Sequence, residues 1–203
     1  MYGVIEFYKY AISRGVKPII GCEVYVAPKS RKKKKKSTEN KYNHLVLLCE
    51  NNEGYSNLMK LVSLGFTEGF YSKPRIDKEI LQKYSKGLIA LSACLAGEIP
   101  RLLSNGEYEK AKQTALFYDG IFGRGNYYLE LRDHGIEEQK RINPLLIRIS
   151  KETGIPLVAT NDVHYIGKED FKIHKVLLCI QTGTKITEEN PIEFKTNEFY
   201  LKS

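Results

Sequence analysis

The chain has 203 residues and 42% hydrophobic content, enough for one sizeable domain and against wholesale disorder. No apolar run approaches the roughly 18 residues of a membrane helix, and the MYGVIEFYKY start lacks the basic, apolar and small-residue regions of a secretory leader. The net charge of +8 points to an acidic partner such as nucleic acid, but Arg31 to Lys36 supplies six positive charges in one run, and without it the balance is +2.

In chain order, Met1 to Arg14 reads as a helix with Val4, Ile5, Tyr8 and Ile12 on one face, stopped by Gly15. The β-branched run Ile19 to Val26 reads as a strand. The RKKKKK run follows, inside a segment of about residues 27–43 with little apolar content. Blocks of like charge repel, so this segment is expected to be a solvated, mobile loop. Contact with a phosphate backbone is the sharper reading, and it implies salt-sensitive DNA binding.

A second strand follows at Leu45 to Cys49, then a helix from Asn51 to Phe66. Asp77 suits the N-cap of a short helix reaching Tyr84. Leu88 to Leu91 is a buried strand, Tyr108 to Ile121 a helix closed by Gly123, and Tyr127 to Leu131 a strand. Ile136 to Thr153 is a long helix ending at Gly154, Leu157 to Thr160 a strand, and Lys168 to Gln181 a helix. Strands alternating with helices imply one α/β domain over residues 1–203 with a mainly parallel sheet. The first two strands have no crossover helix between them, so they are expected to pair antiparallel.

Functional groups of parallel α/β folds collect at the carboxyl ends of strands. Asp162 and His164 lie just past LVAT, two residues apart, and in extended backbone they share a face as a carboxylate–imidazole pair suited to a metal. A capped helix start with a hydrogen-bonded histidine is the plain alternative. Glu23 sits inside an apolar strand, where a carboxylate is costly unless paired, coordinated or hydrated. Antiparallel pairing brings His44, at the start of its strand, to the same rim as Glu23. An edge-strand histidine is the alternative there. Cys94 follows LIALS, where a free cysteine is commonly a small buried residue.

Asp133 and His134 follow YYLEL, as site residues or as a helix start with Asp133 near the N-cap. Lys73 and Arg75 precede a helix, either to bind phosphate or in a structural role. His174 lies mid-helix beside VLLCI, as a core or surface histidine. The four cysteines Cys22, Cys49, Cys94 and Cys179 are scattered without a CxxC, which points to reduced thiols in the cytoplasm.

Several stretches, in order, resemble the PHP (polymerase and histidinol phosphatase) domain of bacterial DNA polymerase III α subunits: KPIIGCEVYVAP, NHLVLLCEN, EGYSNLMKLVSLGF, GFYSKPRID, GLIALSACLAGEIPRLL, YYLELRDHG, IPLVATNDVHY and VLLCIQTG. The resemblance implies a distorted (βα)7 barrel whose carboxyl rim holds divalent metal (Zn, Mn or Mg). It implies Glu23, His44, Cys94, Asp162 and His164 as ligands, and hydrolysis of a phosphoester, in that family the proofreading of a 3′ DNA end. The partners it implies are DNA and replisome subunits such as a proofreading exonuclease, with no membrane.

The family's opening H-x-H and T-D-H-G motifs are not in this sequence. The expectation is therefore a barrel lacking its first two strands, an incomplete metal set, little activity from the chain alone, and self-association through an open sheet edge. A stand-alone PHP phosphatase acting on a small phosphoester and a non-catalytic interaction module are the alternatives.

Overall fold

The computed structural model describes residues 1–33, 42–187, 194 and 196–202. Lys34 to Lys36 of the basic run, with the rest of residues 34–41, lie outside the described residues.

The elements follow the alternation of the sequence. Helix α1 (Val4–Ser13) precedes strands β1 (Gly21–Val26) and β2 (Asn43–Cys49), then helix α2 (Asn52–Thr67). Helix α2 starts where Asn51 accepts the Gly54 amide on its side chain at 3.0 Å, satisfying one of the unpaired donors of a helix start. Strand β3 (Arg75–Ile76) leads into α3 (Lys78–Lys83), and Asp77 caps α3 as expected, accepting from the Ile80 amide at 3.2 Å. Then come β4 (Leu88–Leu91), α4 (Glu98–Ser104), α5 (Tyr108–Phe122), β5 (Tyr127–Leu131), α6 (Glu137–Thr153), β6 (Leu157–Ala159) and α7 (Phe171–Thr182). Gly154 closes α6 in the left-handed conformation at φ 75°, open to glycine at little cost. The helix expected from Lys168 begins as a 3-10 turn over Lys168–Asp170 and becomes α-helical at Phe171.

Six strands form one mixed sheet in the order β3-β1-β2-β4-β5-β6. Strand β1 pairs parallel with β3, and β4, β5 and β6 pair parallel in turn. Strand β2 runs antiparallel to both neighbours, β1 and β4. The expected single antiparallel pair is thus two, because one reversed strand sits between strands of the other sense. The carboxyl ends of β1, β3, β4, β5 and β6 therefore share one rim with the beginning of β2.

The core lies between the sheet and α2 to α6, around Leu47, Leu58, Leu61, Leu88, Leu129 and Ile149. Burial of this apolar surface is the main stabilising term. Helix α1 contributes little to it: only Ala11 is buried, while Ile5, Phe7, Tyr8 and Ile12 remain exposed. The apolar face read from its sequence thus finds little cover among the described residues.

Two basic residues take unexpected places. Arg31, the first of the basic run, is only 5% exposed. Its Nη1 lies 3.0 Å from Asp77 Oδ1, its Nη2 2.6 Å from Glu68 Oε2, and its backbone N–H donates to Asp77 Oδ2 at 2.8 Å. The solvated reading therefore fails for Arg31, whose charge is needed to neutralise the capping aspartate of α3. Arg75, offered as a phosphate ligand, is 1% exposed. Its guanidinium donates to the carbonyls of Gly69, Arg31 and Lys33 at 3.2, 3.1 and 2.9 Å, so it takes the structural role. Lys73 stays half-buried with Nζ 5.8 Å from the Tyr25 ring centre.

Candidate metal centre

The reversed strand places His44. In the β1–β2 register, Tyr25 faces His44 and Glu23 faces Val46, so Glu23 is the same-face diagonal neighbour of His44. The His44 backbone N–H donates to the Ala96 carbonyl at 3.0 Å, tying β2 to the turn after β4. That turn carries Cys94. It passes Ala93 at φ 64° and reaches Gly97, where a Cβ would collide with the Ser92 carbonyl, so glycine is required.

The result is a compact donor set. Glu23, His44 and Cys94 each offer a ligand atom, and these atoms lie within 4.8 Å of one another. His44 Nδ1 is 2.9 Å from Glu23 Oε1 and 3.7 Å from Cys94 Sγ. Burial disfavours the His44 imidazolium, but the adjacent Cys94 and Glu23 outweigh it and raise its pKa to about 9. Burial also pushes the Glu23 carboxyl up, yet the hydrogen bond and charge of His44, with Arg132 and His164 beyond, leave it below its ordinary value. Carboxylate, imidazole and thiolate together suit a borderline cation such as zinc, and the set fits the metal that the resemblance implies.

Asp162 and His164 line the same cavity, of about 460 Å³, with Glu23, His44 and Cys94. All five sequence-derived residues thus share one space, although only three form the close cluster. The backbone between β6 and His164 is not extended as expected: Asp162 sits at φ 45°. His164 Nδ1 is 2.6 Å from the Asp162 carbonyl, which can only accept, so Nδ1 carries a proton and Nε2 is the nitrogen left for a ligand. The Asp162 carboxylate is ion-paired with Arg132. The His164 ring meets Phe199 edge-on at 5.5 Å and Phe194 at 4.8 Å.

Asp133 and His134 are placed differently. Asp133 is exposed and accepts from the Gly135 N–H at 3.0 Å, while the N-cap of α6 is Ile136. His134 is fully buried. Its Nδ1 lies 2.9 Å from Gln139 Nε2 and its Nε2 2.8 Å from the Asn161 carbonyl, leaving no nitrogen for a ligand. Two residues that sequence reasoning left aside belong to the site's surroundings. Arg132 pairs with Asp162, and His174 meets His164 edge-on at 5.6 Å. Neither has a spacing signal in the sequence.

An α/β domain whose strand ends gather a carboxylate, an imidazole and a thiol is the class that this fold and site define. The chain belongs to the PHP domain family, whose model matches residues 1–134. It is 48% identical to the DNA polymerase III subunit alpha of Treponema pallidum, over 100% of this chain and 17% of that protein. It is 48% identical to that of Borreliella burgdorferi and 44% to that of Thermus aquaticus, again over the whole chain, covering 18% and 17% of those proteins. The chain therefore spans less than a fifth of the length of these relatives.

Proposed function

We propose that this chain is the PHP part of a bacterial DNA polymerase III α subunit, and that its rim binds a divalent cation through Glu23, His44 and Cys94, with Asp162 and His164 beside them. The observation that carries this reading is the approach of three donors from β1, β2 and the turn after β4 to within 4.8 Å. Relatives at up to 48% identity over the whole chain support the parentage. The six-stranded sheet fits part of a distorted (βα)7 barrel, and the family's H-x-H and T-D-H-G ligand segments are not among these 203 residues. We read the chain as one domain and, on its scattered free cysteines, as cytoplasmic. Among the described residues, no helix is long and apolar enough to cross a membrane.

A bound divalent cation supplies Lewis acidity and lowers the pKa of water, the chemistry of phosphoester hydrolysis and of 3′–5′ proofreading. The protein's own part is to hold the donors. Glu23 supplies an ionised carboxylate, and the Asp162 carbonyl occupies His164 Nδ1, which leaves Nε2 for a ligand. In the parent subunit the partners would be DNA and other replisome subunits, a proofreading exonuclease among them. The exposed apolar face of α1 favours self-association of the isolated chain, and light scattering that stays monomeric at high concentration would exclude it.

Elemental analysis and Co2+ titration test the metal reading. Wild type is expected to bind metal, with the thiolate absorption of Co2+ lost in Cys94→Ser. No binding by wild type would favour a non-catalytic interaction module. Manganese- or zinc-dependent turnover of small phosphoesters would instead favour a stand-alone phosphatase.

A further inference from the structure

We infer that Arg132 is a positioning residue of the metal centre, holding the Asp162 carboxylate at the cavity wall by spanning it and Glu130. This inference rests on the metal-binding reading of the site. Arg132 directly follows β5, and its guanidinium is forked between two carboxylates. Nη2 lies 2.7 Å and Nε 2.8 Å from Glu130 Oε1, while Nη1 is ion-paired with Asp162 Oδ2. Nε also lies 3.2 Å from Thr160 Oγ1, and the Thr160 hydroxyl donates to Glu130 Oε1. The ends of β5 and β6 are thereby joined in one ionic unit.

That unit is dry. Arg132 is 6% exposed and Glu130 3%. Glu130 Oε2 and Arg132 Nη1 are buried with no hydrogen-bond partner among the described residues, so the guanidinium's bonds to Glu130 Oε1 and the Nη1–Asp162 ion pair are the compensation for these buried charges.

Asp162 sits at φ 45°, a conformation that Asp adopts more readily than most L-residues. The contacts present are the Arg132 ion pair on its side chain and the His164 ring on its carbonyl. Lysine could not do the same work, because a single ammonium has no planar fork to reach both carboxylates. Arg132 is also too buried to meet a substrate, so it acts through Asp162.

A double-mutant cycle on the full chain tests this, with Co2+ affinity read from the cobalt absorption bands of wild type, Arg132→Gln, Asp162→Asn and the double variant. Arg132→Gln is expected to weaken Co2+ binding about tenfold in wild type, and by less than about twofold when Asp162 is already Asn. Equal weakening in both backgrounds, or none, overturns the inference. Should Arg132→Gln fail to fold, Arg132→Lys, which keeps the buried charge but loses the fork, carries the same cycle. If wild type takes up no Co2+, the metal reading falls separately. A crystal structure of the Arg132 variant then decides the positioning claim, supported if Asp162 leaves its left-handed conformation and overturned if Asp162 stays in place.

Discussion

His44 begins the one strand that runs against the rest of its sheet, and its Nδ1 lies 2.9 Å from Glu23 Oε1 on the neighbouring strand. In a fully parallel sheet the two residues would stand at opposite ends. The reversal of β2 is what lets a residue at a strand's start join residues at strand ends.

That pairing fixes a pH dependence. The His44 pKa is raised from 6.5 to about 9, so its contribution to the metal-free fold is complete below 6.5 and lost as pH rises through 9. The Glu23 carboxyl is lowered, so its contribution is present above 4.5 and lost as pH falls through its folded value. The metal-free pair is therefore most stabilising from about pH 4.5 to 6.5 and fades towards 9. A cation must displace the His44 proton, so apparent affinity should rise about tenfold per pH unit until near pH 9. Calorimetry in buffers of different ionisation heat should show at least one proton released per metal at pH 7. No proton release would show that His44 is not a ligand.

Arg31 makes a stability prediction. It is buried against Asp77, which caps α3, and against Glu68. Arg31→Ala leaves Asp77 buried without its countercharge, a loss of about 3–5 kcal/mol for breaking a buried pair from one side. Lys32→Ala, an exposed neighbour in the same run, should change stability by less than about 0.5 kcal/mol. Urea denaturation of the two variants separates them, and equal midpoints would refute the buried role of Arg31.

The fold was legible where local chemistry and periodicity agree. Asp77 announces the start of α3, Gly154 the end of α6, and LIAL and YYLEL their strands, because caps and apolar runs are local signals. Strand β3 and helix α4 were not, since two and seven residues carry too little periodicity. The site was half legible. Glu23 stands out as a carboxylate in an apolar strand, and D-x-H marks a strand end, whereas Cys94 looks like core and entered through family resemblance. Arg31, Arg75 and Arg132 could not be placed, because each is defined by partners far away in sequence or by burial that an arginine does not advertise.

Lys73 and Arg75 were read as a pair, and their surroundings now separate them. Lys73 is half-buried above Tyr25, whereas all the described hydrogen bonds of the Arg75 guanidinium go to backbone carbonyls. If the basic surface near the rim meets DNA, Lys73→Ala should reduce the slope of log affinity against log salt by up to about 1. Arg75→Ala should lower the melting temperature instead. An unchanged salt slope for Lys73→Ala would remove Lys73 from the interface.

His134 and His164 give the sharpest contrast between a buried, hydrogen-bonded histidine and one proposed as a ligand. The Gln139 amide N–H donates to His134 Nδ1, the Gln139 carbonyl oxygen accepts from the His134 backbone N–H at 2.8 Å, and His134 Nε2–H donates to Asn161. The ring also stacks on Phe199 at 4.0 Å. His134→Ala strands the buried Gln139 amide, at about 1–3 kcal/mol for an unsatisfied buried group, and frees the part-buried Asn161 carbonyl. It is therefore expected to unfold at clearly lower denaturant while binding metal once folded. His164 is exposed and holds Nε2 free, so His164→Ala should keep its denaturation midpoint and weaken metal binding at least tenfold. Paired denaturation and metal titration of the two variants would expose a wrong assignment, since exchanged phenotypes would make His134 the ligand and His164 the strut.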